Sequence, residues 1–148
     1  MEDLGGPREA EARPSGGEAH QLAAAALLVE AATMDDSFDA AERATILQLL
    51  SGRFGLSAEE GEDLIAEAEA EVARSNQLYA FTKPIKDALD HEERIEIVEM
   101  LWEVAYTDGA LHDYEASLIR RVTGLLHISD RDSGAARKRA LDRLAQRG

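Results

Sequence analysis

The chain carries one pattern twice, at residues 30–46 (EAATMDDSFDAAERATI) and at residues 103–119 (EVAYTDGALHDYEASLI). The two copies align without a gap, so that Asp35 of the first copy matches Asp108 of the second. In each copy, residues typical of a buried helical face flank a short acidic segment. We interpret each copy as the end of one helix, an acidic turn and the start of the next helix.

The composition favours a helical fold. The chain has 148 residues, of which 45% are hydrophobic but only 5% aromatic, and alanine is abundant. A β-sandwich of this length would be richer in β-branched and aromatic residues, whereas alanine is the strongest helix former. The length suffices for one domain with a hydrophobic core. Cysteine is absent, which excludes disulfides, thiolate catalysis and cysteine-ligated metal sites.

The net charge of -14 restricts the partners that the chain can have. It argues against nucleic-acid binding, which depends on cationic contacts to phosphate, and against docking on an anionic membrane surface. It suits a divalent cation or a basic partner, or it simply keeps an alanine-rich bundle in solution. No stretch is long enough to span a membrane, and the N-terminus lacks a signal-peptide pattern. We therefore expect a cytoplasmic protein.

The chain divides into a tail and one domain. Residues 1–17 contain several glycines and prolines and are expected to form a flexible N-terminal tail. Residues 18–148 are predicted to form a single all-α domain, a bundle of about seven helices built from two similar halves. The first helix is predicted over residues 18–34, with a buried stripe of Leu22, Ala25, Ala26, Val29 and Ala32 or Thr33.

Three later helices have a clear start. Each begins with a capping-box pattern, in which a capping residue precedes a glutamate by three positions. These pairs are Asp39 with Glu42, Ser57 with Glu60, and Asp90 with Glu93. The third of these helices, ending near Thr107, is the most apolar segment and is expected at the centre of the core.

A spacer at residues 78–89 joins the two halves, and its regular part is expected to start near Lys83, because Pro84 is tolerated only in a first helical turn. The link at residues 126–129 (LHIS) resembles the link at residues 54–57 (FGLS). The last helix has a basic end, which is expected to favour the helix C-terminus and to pair with the acidic middle of the chain.

The acidic turns are the candidate functional residues. In each copy an aspartate in the turn is followed by a glutamate in the first turn of the next helix. Clustered carboxylate oxygens suit a hard cation of the Ca²⁺ or Mg²⁺ class. The candidate metal ligands are Asp35, Asp36 and Glu42 in the first copy and Asp108 and Glu115 in the second, with Asp39, His112 and Asp113 close by. The spacing is not that of an EF-hand, whose ligands alternate along a twelve-residue loop.

A structural role for the same residues stays open. Glu42 can act as the capping-box partner of Asp39, and Glu115 can act in the same way behind His112, although histidine is a poorer capping residue. Asp35 and Asp108 can accept main-chain hydrogen bonds in their turns. In that case the acidic residues cap helices and bind no metal.

No persuasive catalytic centre is present. The four histidines are scattered and lack the paired spacing of a zinc site. No serine lies in a nucleophile-elbow motif, and no glycine-rich loop suited to phosphate follows a strand. A metal-dependent hydrolase would require carboxylates from both acidic turns to converge in an open cleft. We therefore expect a protein that is not an enzyme and needs no cofactor other than the possible divalent cation.

The duplicated pattern resembles the TerB-like family, the tellurite-resistance domain that also occurs in some DnaJ-type co-chaperones. The resemblance lies in residues 32–36 (ATMDD) with Glu42, and in residues 104–109 (VAYTDG) with residues 115–119 (EASLI). It covers about residues 20–146. The first copy departs from the family pattern, because Asp36 stands where glycine is usual.

The resemblance implies an all-α domain of about seven helices and a link to tellurite resistance or another chemical stress response. It implies that Asp35, Glu42, Asp108 and Glu115 belong to a divalent-metal site. Our leading hypothesis adds contact with a protein partner, which the sequence does not identify, in one version near a membrane. The alternatives are a purely structural interaction domain without metal and, less favoured, a metal-dependent hydrolase. The sequence does not indicate the oligomeric state.

Overall fold

The computed structural model describes residues 16–33, 39–75, 77–107 and 111–147. Within these ranges the chain forms seven α-helices and no β-strand, which confirms the predicted all-α class. The helices are α1 Gly16–Ala32, α2 Ala40–Phe54, α3 Ala58–Arg74, α4 Leu78–Ala88, α5 His91–Ala105, α6 Asp113–Leu125 and α7 Asp130–Arg147. The predicted tail lies mostly outside the described residues, although α1 already begins at Gly16.

Helix α1 lies at the centre of the core. Every side chain from Ala23 to Val29 is at most 5% exposed, and α1 packs against α2, α3, α4 and α5. The buried surface of α1 is wider than the predicted stripe. Leu22 is only partly buried, but residues 23–29 are buried on every side of the helix. A helix that is apolar all round is expected to be buried, and its many alanines allow four neighbours to approach.

Helix α5 is the second central element, as its apolar sequence predicted. Eight of its residues, six of them apolar, are buried among α1, α2, α6 and α7. Two of its large apolar residues, Ile95 and Trp102, are only partly buried. The fully covered apolar positions are Ile97, Val98, Met100, Leu101, Val104 and Ala105.

The three predicted capping boxes are present, so these helix starts are determined locally. In α2 the Glu42 N–H donates to Asp39 Oδ1 at 2.8 Å, and the Asp39 N–H donates to Glu42 Oε1 at 3.2 Å. The same reciprocal bonds join Ser57 with Glu60 and Asp90 with Glu93. Each cap contributes about 1 kcal/mol to stability.

The two links that look alike in sequence also share a backbone conformation. Gly55 has φ +66° and His127 has φ +61°, both in the left-handed region that glycine adopts most readily. In each link the next residue donates a main-chain hydrogen bond back to the preceding helix. Leu56 N–H donates to the Ser51 carbonyl, and Ile128 N–H donates to the Thr123 carbonyl. This 6→1 bond is typical of a Schellman helix end. The wider relation between the two halves stays a prediction.

Helix α4 corrects the predicted position of Pro84. The helix begins at Leu78, so Pro84 lies inside it rather than in its first turn. Burial of Leu78, Phe81 and Ile85 against α1 outweighs the loss of one helical hydrogen bond at the proline.

Candidate functional site

The two glutamates of the predicted metal site occupy matching positions in the fold. Glu42 and Glu115 each stand at the third residue of their helix, in α2 and α6. Both are buried, with exposed fractions of 8% and 5%. Burial of a carboxylate is unfavourable unless hydrogen bonds, an opposite charge or a metal compensates it. The corresponding aspartates, Asp35, Asp36 and Asp108, lie outside the described residues.

Each of these glutamates accepts a hydrogen bond from the main chain in front of its helix. The Asp39 N–H donates to Glu42 Oε1 at 3.2 Å, and the His112 N–H donates to Glu115 Oε1 at 3.3 Å. From the sequence, His112 made a capping role for Glu115 less convincing, but the bond to its N–H has the same form as that at Asp39.

The described residues do not bring the predicted ligands together into a metal cluster. Within residues 16–33, 39–75, 77–107 and 111–147, no group of three or more histidine, aspartate or glutamate side chains has suitable geometry. The two ligands that are described, Glu42 and Glu115, are buried carboxylates, the ligand type that a hard cation prefers. Metal binding therefore stays a prediction that depends on the aspartates of those turns.

An open cleft of about 680 Å³ lies elsewhere on the molecule and was not predicted from the sequence. We call it the α5 cleft. Its floor is α5, and residues of α2 and α7 form its two sides. Apolar residues Leu49, Ile95 and Met100 line part of it, and the remainder of its lining is mainly glutamate and arginine.

A stripe of four glutamates runs along the floor of the α5 cleft. Glu92, Glu96, Glu99 and Glu103 are spaced by four, three and four residues, which places them on one face of the helix. The stripe passes from the surface into the core: Glu92 and Glu96 are exposed, whereas Glu99 and Glu103 are 4% and 0% exposed.

Two arginines of α7 neutralise the buried end of the stripe. Arg139 Nε lies 2.8 Å from Glu99 Oε1, and Arg143 bridges both glutamates, with Nη2 2.5 Å from Glu99 Oε2 and Nη1 2.9 Å from Glu103 Oε2. Burial acts to lower the pKa of Arg143, but its hydrogen bonds and the charges of Glu103 and Glu99 outweigh that effect and raise it. The basic end of α7 thus pairs with α5.

The acidic middle of the chain has a different cationic partner. On α3, Glu62 and Glu69 pair with Arg43 of α2, whose guanidinium lies 3.0 Å and 3.4 Å from them. The hydrogen bond to Glu62 is the main reason that the pKa of Arg43 is raised. The expectation that the basic end of α7 pairs with this region was therefore wrong for Arg139 and Arg143.

Glu103 was recognised in the sequence only as the match of Glu30. Glu30 also lies on a central helix, and burial raises its pKa, while the charge of Arg121 opposes the shift. The sequence carries no clear signal for the cleft. The spacing of the α5 glutamates, and of the two α7 arginines, places each set on one face of its own helix but does not show that the two faces meet.

The fold defines the class of protein: within the described residues it is an all-α domain of seven helices, in which α1, rich in alanine, is buried among its neighbours. The chain belongs to the family described as tellurite resistance protein TerB, whose model matches residues 21–138. This finding confirms the resemblance seen in the duplicated turns. The family is generally not catalytic, and its link to tellurite resistance follows from its name.

A similar solved structure supports the fold. The crystal structure of a protein of unknown function, PG1108 from Porphyromonas gingivalis W83, matches with a TM-score of 0.60 and 17% sequence identity. The match covers 85% of this chain and 97% of that chain. At this level of identity the likeness concerns the fold alone. A search of curated proteins finds no match.

The described helices contain none with the length and apolar character needed to cross a lipid bilayer.

Proposed function

We propose that the chain is a non-catalytic TerB-family module that binds a divalent cation at its two acidic corners and contacts a protein partner. An acidic corner is the turn between α1 and α2, or between α5 and α6, together with the first turn of the following helix. We place the module in the cytoplasm, with any membrane contact made through the partner. A role in tellurite or another chemical stress response is the physiological setting suggested by the family name.

One observation carries the metal part of this proposal. Glu42 and Glu115 are buried carboxylates at matching helix positions, each directly after an acidic turn. The other two capping-box glutamates, Glu60 and Glu93, are more exposed and follow no acidic turn. A glutamate that only caps a helix does not need a buried carboxylate. Shielding from water does favour a carboxylate that binds a cation.

The expected cation is of the Ca²⁺ or Mg²⁺ class, because every proposed donor is a carboxylate oxygen. In each corner the glutamate would bind the cation together with the aspartates before it. Glu42 would act with Asp35 and Asp36, and Glu115 would act with Asp108. The bound ion would neutralise part of the net charge of -14 and link α1 to α2 and α5 to α6.

The alternative is a structural interaction domain in which Glu42 and Glu115 serve only as helix caps. The hydrogen bonds from Asp39 N–H and His112 N–H support this alternative directly. A glutamine at either position would retain an acceptor for that bond, because glutamine also occurs in capping boxes. The two functions therefore respond differently to the same substitution.

Isothermal titration calorimetry with Ca²⁺, Mg²⁺, Mn²⁺ and Zn²⁺ tests the proposal. The wild-type chain is expected to bind at least one of these ions saturably, and the Glu42→Gln/Glu115→Gln variant is expected to lose that binding. The matched control, Glu60→Gln/Glu93→Gln, removes the same charge from two equivalent capping boxes and should bind as the wild type does. If the wild-type chain shows no saturable binding, or if both variants bind equally, capping is the only role left for Glu42 and Glu115.

A further inference from the structure

The α5 cleft has the dimensions of a groove for a short protein segment. The stripe from Glu92 to Glu103 covers twelve residues, and the eleven steps between its ends correspond to about 16 Å of helix length. Together with the cleft volume of about 680 Å³, this length accommodates about three turns of helix. The two sides of the groove come from α2 and α7, which both pack on α5.

The charges in the α5 cleft are unevenly compensated. Four glutamates line it against three arginines, and all three arginines are already engaged. Arg139 and Arg143 hold the buried glutamates, and Arg53 holds Glu96, with its Nε 2.7 Å from Glu96 Oε1. Within the part of the chain that the structure describes, no cation lies within ion-pair distance of Glu92. The open end of the cleft thus retains negative charge on a chain of net charge -14.

Apolar surface lies directly beside these charges. Leu49 and Ile95 are partly buried, and Met100 is 5% exposed. Gly52 leaves a gap in the α2 side of the cleft, because a Cβ atom built there would meet no other atom within 4 Å. A carboxylate row next to an apolar strip complements a helix that has basic residues on one side and apolar residues on the other.

From this complementarity we infer that the α5 cleft is the docking site for a basic amphipathic segment of a partner protein. The basic side chains of that segment contact Glu92 and Glu96, and its apolar side chains pack on the exposed parts of Leu49 and Ile95 beside Gly52. The buried ion pairs with α7 stay intact and fix the far side of the groove. This inference rests on the protein-partner part of the proposed function and requires no metal at the acidic corners.

A synthetic twelve-residue peptide, with arginines on one helical face and leucines on the other, is the probe. Binding to the full chain is measured by fluorescence anisotropy at an ionic strength of about 0.15 M, which screens diffuse attraction between exposed charges. Both Gly52→Trp and Glu92→Gln/Glu96→Gln are expected to weaken binding about tenfold, the first by filling the groove and the second by removing charge-assisted hydrogen bonds.

Two matched controls separate the cleft from general attraction. Gly124→Trp places the same side chain at another helical glycine with no atom within 4 Å of the added Cβ. Glu59→Gln/Asp63→Asn removes the same charge from exposed positions of α3. Both controls are expected to bind within about twofold of the wild type, a difference well below the tenfold that one such hydrogen bond represents.

The inference is wrong if the α3 control weakens peptide binding as much as Glu92→Gln/Glu96→Gln does, or if Gly52→Trp leaves peptide binding unchanged. It is also wrong if a peptide with glutamates in place of the arginines binds equally well. The titration is run with EDTA and again with Ca²⁺. Peptide binding without any metal binding would contradict only the proposed cation site, and metal binding without peptide binding would contradict only this inference.

Discussion

At the scale of single residues, Glu103 is a buried carboxylate that pairs with Arg143. Its side chain is fully buried, and Arg143 Nη1 lies 2.9 Å from its Oε2. Removal of one member of a buried pair leaves an uncompensated charge, whereas removal of both is far less harmful. The arginine is half exposed, which moderates the effect.

We predict that Arg143→Ala lowers the free energy of unfolding by about 2 kcal/mol. Arg131→Ala, an exposed change on the same helix, should alter it by less than about 0.5 kcal/mol. Urea denaturation of both variants measures the difference. Adding Glu103→Leu to Arg143→Ala should recover part of the lost free energy of unfolding. A further decrease in the double variant would show that the unpaired charge of Glu103 does not cause the loss.

His20 gives the fold a dependence on pH. Its Nδ1 atom is buried without a hydrogen-bond partner among the described residues, and its ring lies edge-on to Phe54. Burial and the charge of Arg53 lower the pKa of His20 below its ordinary 6.5, while Glu93 opposes the shift. The unfolded chain therefore takes up this proton more readily than the folded chain.

The contribution of His20 to stability is accordingly complete above pH 6.5 and is lost as the pH falls through its folded pKa. Between about pH 7.5 and about pH 5.5, the range in which histidine titrates, we predict that the wild type loses more stability than His20→Leu. Urea denaturation of both proteins at the two pH values gives the difference. An equal loss in the two proteins would rule out His20 as the source.

At this scale the sequence indicated Glu42 and Glu115 but not Glu99 and Glu103. The first pair stood out because it recurs beside an acidic turn. The second pair could not be distinguished from ordinary surface glutamates, because its burial depends on α7, which lies about 40 residues further along the chain. Residue type and spacing alone do not reveal such a distant partner.

At the scale of elements, helix ends were predictable and helix extent was less so. A capping box and a left-handed helix end involve residues within six positions of each other, so their signals are local. Helix α4 behaved differently, because its buried face holds Pro84 inside a helix that local preference would start later. Packing against α1 outweighs local preference there.

Two helical glycines provide a prediction about element stability. A Cβ atom at Gly52 would meet no other atom within 4 Å, whereas one at Gly61 would lie 2.5 Å from Leu47 Cδ1. Gly52→Ala should therefore raise the free energy of unfolding by about 0.5–1 kcal/mol. Gly61→Ala should give a smaller gain or a loss, because Leu47 must move. Thermal denaturation compares the two, and an equal gain would contradict the close approach of α3 to α2.

At the scale of the whole molecule, the number and order of helices were predicted, but their arrangement was not. The interpretation of α1 assumed one buried face, which is the usual case for a helix with a periodic apolar stripe. Its run of small and apolar residues instead lies among four other helices. The α5 cleft likewise results from α2 and α7 packing on the same helix, and no local signal encodes that meeting.

The central claim is that the two acidic corners bind a divalent cation. Glu42 and Glu115 are buried at matching sites, and a bound cation would stabilise the folded state by about 2.7 kcal/mol when its concentration is one hundred times the dissociation constant. Capping alone would give no such dependence on metal.

Nuclear magnetic resonance titration of the isotopically labelled chain with Ca²⁺ and Mg²⁺ tests this claim most directly. We predict saturable shifts of the amide signals of residues 33–42 and 107–115 that disappear in Glu42→Gln/Glu115→Gln and persist in Glu60→Gln/Glu93→Gln. Shifts that are absent, that never saturate, or that survive in Glu42→Gln/Glu115→Gln would contradict it.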